Sequence, residues 1–259
     1  MKRLTLIWLL AIIGLSACNK NKQDENVPEK LRPHLSTTLI GRSQNFSLDP
    51  NNKANPYDSV GLLHNIILDS LRKHVLQFDD TSRGGKTAYL NSFLKRTRVI
   101  DFRPSYYPEL EQKICTDYKS VLLNGSFTAQ TKATLERMVD ILQNVESTNE
   151  FESYARKIKT IEKEIVEGNF EAMEKKYLLI VSSVLRHSGY YWMEQFENEN
   201  VTQKIEIFGF IRKIAGLIAG IGADATTAGW HYLKNSPYDV LVGDSAWMSE
   251  ICGYYTGWW

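Results

Sequence analysis

The chain has 259 residues, of which 43% are hydrophobic and 24% charged, and its formal net charge is +1. These are globular proportions, and the near-neutral balance removes the electrostatic reason to expect nucleic acid or an acidic surface as a partner. The length sets one or two domains.

Met1-Lys2-Arg3 is a basic start, Leu4 to Leu15 is an apolar run of signal-peptide length, and Leu15-Ser16-Ala17-Cys18 follows. This resembles the lipobox of bacterial lipoproteins. The resemblance covers the first 18 residues. It implies that residues 1–17 are removed, that Cys18 carries a diacylglycerol with palmitate-like acyl chains, and that the body lies outside the cytoplasm. Several acyl chains on one residue hold a protein stably at a membrane, where a single chain is marginal. An ordinary secretory signal and an uncleaved anchor are the alternatives. Asn19 stands where an inner-membrane retention signal would have Asp. Lys22-Gln23-Asp24-Glu25 loosely resembles the export signals of Bacteroidetes surface lipoproteins, with Gln23 as the departure. The implied location is the bacterial cell envelope, lipid-anchored at the outer membrane, on its periplasmic or its outer face.

Residues 18–55 read as the lipidated Cys and a flexible tether, because Asn, Lys, Ser, Asp and Pro dominate without an apolar period. Residues 56–259 read as a single helical domain. Asn55-Pro56-Tyr57-Asp58 is a helix start, with Asn as cap, Pro at the first helical position and Asp in the first turn. The apolar set Val60, Leu63, Ile67, Leu71, Val75 and Phe78 continues it at helical spacing. Arg83-Gly84-Gly85 reads as a break, with a second helix over Thr87 to Thr97 and a third from Glu109 to Leu123.

Two stripes follow: Leu135, Met138, Leu142 and Val145, then Phe151, Tyr154, Ile158, Ile161 and Ile165. Their three-and-four alternation and the short break at Ser147-Thr148-Asn149 predict an antiparallel helical hairpin. A longer helix starts near Phe170 with Met173, Tyr177, Ile180, Val181, Val184 and Leu185 on its apolar side, and Asn198 to Asn200 reads as a polar break.

Ile205 to Ala225 is the most apolar stretch after the leader and is rich in Gly. Only Ile214 to Ala223 is free of charge, far short of the roughly 20 residues a membrane span needs. It reads as a buried core helix, with a membrane-lying segment as the alternative. Gly216 and Gly220 form a face on which two helices could approach closely. No period-two run persists, so the fold class is all-α: an irregular bundle of six to eight helices with a Gly-rich buried helix and an aromatic C-terminal segment.

Chemistry is sparsely marked. No catalytic, cofactor or metal set is assigned. The five histidines lack metal-ligand spacing, and His64 and His187 read as hydrogen-bonded core residues on apolar faces. Gly243-Asp244-Ser245 superficially resembles a hydrolase serine motif but reads better as a turn or cap before a helix over Ala246 to Ile251. Asp224 reads as a surface residue or a local cap, with a buried acid of raised pKa or a ligand contact as the alternative. With Cys18 lipidated, Cys115 and Cys252 remain, and they permit either one disulfide or two buried thiols.

Trp192, Trp230, Trp247, Trp258 and Trp259 join six tyrosines between Tyr190 and Tyr255. Such residues serve cores, interfaces, sugars and bilayers alike. Trp258 and Trp259, with Tyr254 and Tyr255, form the candidate interaction surface, because termini usually lie outside. The leading expectation is a binding or interaction module of the envelope with a protein or glycan partner and no nucleic acid. Two alternatives stand: an envelope enzyme acting on glycan, peptide or lipid, and a membrane-active protein using the 205–225 helix.

Overall fold

A computed structural model of the chain describes residues 49–78, 82–96, 108–146, 150–200, 207–236 and 238–256. Among the described residues there are eight α-helices and no strand: α1 Asp58–Phe78, α2 Arg83–Arg96, α3 Pro108–Leu123, α4 Ala129–Gln143, α5 Phe151–Glu167, α6 Ala172–Asn200, α7 Ile207–Leu233 and α8 Tyr238–Thr256. The fold is an all-α bundle. None of these helices is long and apolar enough to cross a membrane.

The middle of α6 organises the packing. Every residue from Tyr177 to Met193 is buried. A helix enclosed on all sides must sit between neighbours, and α6 packs on α1, α5 and α7. In turn α8 packs on α7, α1 and α3, while α4 lies against α5. The stripes expected from sequence are the buried faces of α4 and α5: Leu135, Met138 and Leu142, then Phe151, Tyr154, Ile158, Ile161 and Ile165.

Helix starts follow local chemistry. The side-chain oxygen of Asn55 accepts from Tyr57 N–H at 2.8 Å, so Asn55 closes the turn that leads into α1. The Gly61 N–H, in the first turn of α1, donates to Ser183 Oγ of α6 at 3.1 Å. Packing begins before the expected boundary at 55/56. Asn55 is 3% exposed, and Asn52 Nδ2 donates to Glu162 of α5 at 2.6 Å.

Several boundaries differ from the sequence reading. Arg83-Gly84-Gly85 is the first turn of α2, because Ser82 Oγ accepts from Gly85 N–H at 3.0 Å and supplies the cap. α3 is interrupted at Asp117 (φ −150, ψ 54), whose carboxylate accepts from Ser120 N–H and restarts the helix. α6 runs through Asn198–Asn200 without a break. Met173, expected on the apolar side of α6, is 62% exposed, as is Phe78 of α1 at 61%.

α7 is buried from Gly220 to Gly229, as a Gly-rich core helix should be. Close approach, however, does not occur at Gly220, where an added Cβ would meet nothing within 4 Å. It occurs at Gly222, against the Tyr118 ring at 2.5 Å. The tightest crossing lies elsewhere. A Cβ on Gly61 would overlap the Ser183 carbonyl and lie 2.6 Å from the His187 ring. Gly61→Ala is therefore expected to cost about 1–3 kcal/mol, since backbone cannot rotate away. Gly220→Ala is expected to stabilise by up to about 1 kcal/mol through helix propensity alone. Urea denaturation of the two variants checks the opposite signs.

Candidate functional site

Three polar groupings lie among the helices, and their geometry separates structural from chemical roles. The first joins α1, α5 and α6. Arg186, fully buried, forks onto Glu162 with Nη2–Oε1 at 2.9 Å and Nε–Oε2 at 3.1 Å. Its Nη2 also donates to Asp58, and the His187 Nε2 lies 3.1 Å from the same carboxylate. Glu162 further accepts from Asn52, Asn55 and Ser182. A carboxylate with this many donors has no lone pair left for a substrate. Burial opposes the charge on Asp58, but the His187 and Arg186 partners outweigh it and hold its pKa at about 2. Burial pushes His187 below its ordinary value. The grouping is a structural pin.

The second grouping corrects the surface reading of Asp224. That residue is fully buried: it accepts from Ser188 Oγ, and its Oδ2 lies 3.4 Å from His64 Nε2. Burial forces the carboxylate to find partners, and α6 and α1 provide them. Here the acid stands between Ser and His. The Ser hydroxyl has no path to the imidazole, so this set cannot activate a nucleophile. His64 and His187 are thus hydrogen-bonded core residues.

The third grouping lies where α7 ends. The Asn235 N–H donates to Tyr232 O and the Ser236 N–H to His231 O, both at 3.0 Å, with Asn235 at φ 54. This pair of bonds around a left-handed residue is a Schellman turn. It places Ser236 Oγ 2.9 Å from His231 Nδ1. On the other side of the ring, Nε2 lies 2.8 Å from Asp244 Oδ2. Gly243-Asp244-Ser245 is therefore not a turn. It lies within α8, where Asp244 reaches back to α7 and Ser245 Oγ donates to the Val242 carbonyl.

A groove of about 250 Å³ lies beside this end of α7. Leu110, Val121 and Leu122 of α3, Phe127, Tyr177 of α6, and Trp230 and Leu233 of α7 give it an apolar and aromatic lining. Lys113 and Asn124 add polar groups. Leu110 and Trp230 also border a second cavity of about 20 Å³, which His231, Asp244 and Glu111 line. Among the described residues, no group of three or more His, Cys, Asp or Glu is arranged to hold a metal ion.

Of the residues singled out from sequence, Cys115 of α3 and Cys252 of α8 are joined in a disulfide with Cα atoms 5.0 Å apart. They sit in a core cluster with Ile114, Ala223 and Met248. Cys18, Trp258 and Trp259 lie outside the described residues, and of Tyr254 and Tyr255 only the helical backbone of α8 is described. Trp192 and Trp247 are core residues, at 0% and 2% exposure. The groove and the Ser236–His231–Asp244 series were missed. Asn235-Ser236 after a long apolar helix was the available signal for the turn, but nothing local in sequence pairs His231 with Asp244. No family model, curated protein or solved structure matches this chain.

Proposed function

We propose that the chain is an exported, lipid-anchored binding protein of the bacterial envelope, tethered through Cys18, whose helical body takes a small ligand in the groove beside Trp230. The groove carries the reading. Its volume of about 250 Å³ lies just under the usual range for ligand sites, roughly 300–1,000 Å³, so it suits a small ligand or a single protruding group. Aromatic walls with a cation at one side suit an aromatic or branched aliphatic group that ends in a carboxylate. Among the tryptophans with described side chains, Trp192 and Trp247 belong to the core and Trp230 lines the groove. Signal-peptide and lipobox residues support the envelope location, and the absence of charge excess supports a partner other than nucleic acid.

Trp230→Ala is expected to weaken binding of a small aromatic carboxylate about tenfold or more, because an interface tryptophan commonly contributes well above 1 kcal/mol. Tryptophan fluorescence titration reads it. Equal affinity in wild type and variant would remove the groove as the site. Protease treatment of intact cells, with Cys18→Ala as control, reads the anchoring separately. Loss of membrane retention in Cys18→Ala is the expected result.

A further inference from the structure

We propose that Ser236, His231 and Asp244 form an activated-serine site that hydrolyses small carboxylic esters. Order is the first argument. The three groups form a series with the imidazole in the middle: Ser236 Oγ at 2.9 Å from Nδ1, and Asp244 Oδ2 at 2.8 Å from Nε2. Asp244 accepts a hydrogen bond from the Nε2–H, which fixes the tautomer and leaves the Nδ1 lone pair facing the serine hydroxyl. The Asp224 set contains the same residue types with the acid in the middle, and it fails this condition.

Burial is the second argument. The His231 and Asp244 side chains are 4% and 6% exposed, so their interaction is little screened by water. Ser236 is half-buried, so the serine is the more exposed end of the series. The third argument is positional. The Schellman turn, with Asn235 at φ 54, fixes the backbone that carries the serine beside His231. α8 begins two residues later, and the first N–H groups of a helix lack acceptors within it.

The reaction is acyl transfer. Ser236 Oγ bonds to the ester carbonyl carbon while its proton passes to His231 Nδ1. The carbon–oxygen bond to the alcohol breaks, and the alcohol leaves with that proton. Water then attacks the acyl-serine, gives a proton to Nδ1, and releases the acid as Oγ recovers its proton. Water is the only co-reactant. Apolar Trp247 and Met248 line the small cavity against the His231–Asp244 pair and keep that pair away from bulk water.

The test uses the purified full chain with p-nitrophenyl butyrate and a fluorophosphonate probe. Wild type is expected to hydrolyse the ester and to be labelled. Ser236→Ala is expected to lose labelling and about 10³-fold or more of kcat, with its helical circular dichroism intact. Asp244→Asn is expected to lower kcat by a similar factor with KM nearly unchanged, a split that a merely structural role would not produce. No labelling of wild type, labelling retained in Ser236→Ala, or an unchanged kcat in a folded Asp244→Asn overturns the proposal. The groove reading survives such a failure, because binding at Trp230 is measured independently.

Discussion

Removing the disulfide with a Cys115→Ala/Cys252→Ala double substitution is expected to lower stability by up to about 5 kcal/mol. The bridge closes a separation of 137 residues, and chain-entropy reasoning gives roughly that figure for so long a loop. The site adds a packing term of its own. Cys115 and Cys252 are 2% and 0% exposed beside Ile114, Ala223 and Met248, so each alanine also leaves a small void. The bond ties α3 to α8, and α8 packs on α7 and α1, so the loss should loosen the whole C-terminal side. Thermal unfolding with and without reductant checks it. A shift of less than about 2 °C would show that noncovalent packing holds α8 in place without the bridge.

Arg186→Met is expected to cost about 3–5 kcal/mol, near 10 °C in Tm for a body of this size. Methionine replaces much of the volume but leaves Glu162, fully buried, and Asp58, 18% exposed, without their cation. Arg137→Met provides the contrast. Its fork onto Glu164 has similar distances, but both side chains are about half exposed, and an exposed pair contributes at most about 1 kcal/mol. Burial, not bond length, decides the difference. The acid limb gives a second readout. The folded pKa of Asp58 is lowered from 3.8 to about 2, so its contribution is present above pH 3.8 and is lost as pH falls toward 2. Without Arg186 the folded pKa moves back toward the unfolded value, so the acid-dependent loss assigned to Asp58 should shrink. An unchanged acid limb would contradict the assigned pairing.

What was legible in the sequence follows from how local each signal is. The α5 stripe could be read because its five apolar residues recur within one helix and face one side. Asn55 could be read as a helix start for the same reason. The polar centre of α6 could not. Ser182, Ser183, Arg186 and Ser188 carry no apolar signal around His187, yet all are buried. Their partners Asp58, Glu162 and Asp224 come from three other helices, and no local period announces that. Asp224 was misread on the same ground: a lone acid after an apolar run usually marks an end, but here α1 and α6 close over it. The two glycines opening α2 looked like a break because the cap that offsets their cost is a single serine side chain. The groove combines α3, α6 and α7, so its residues are scattered from Leu110 to Leu233 and have no common motif.

The most direct test of the binding proposal is a fluorine NMR titration of the protein labelled with 5-fluorotryptophan. Small aromatic and branched aliphatic carboxylates are added one at a time, and Trp230→Phe assigns the groove signal. The account expects the Trp230 resonance to move saturably while the buried Trp192 and Trp247 resonances stay in place. If no ligand of this class moves Trp230, or if all the tryptophan signals drift together without saturating, the groove is not a binding site and the proposed function is wrong.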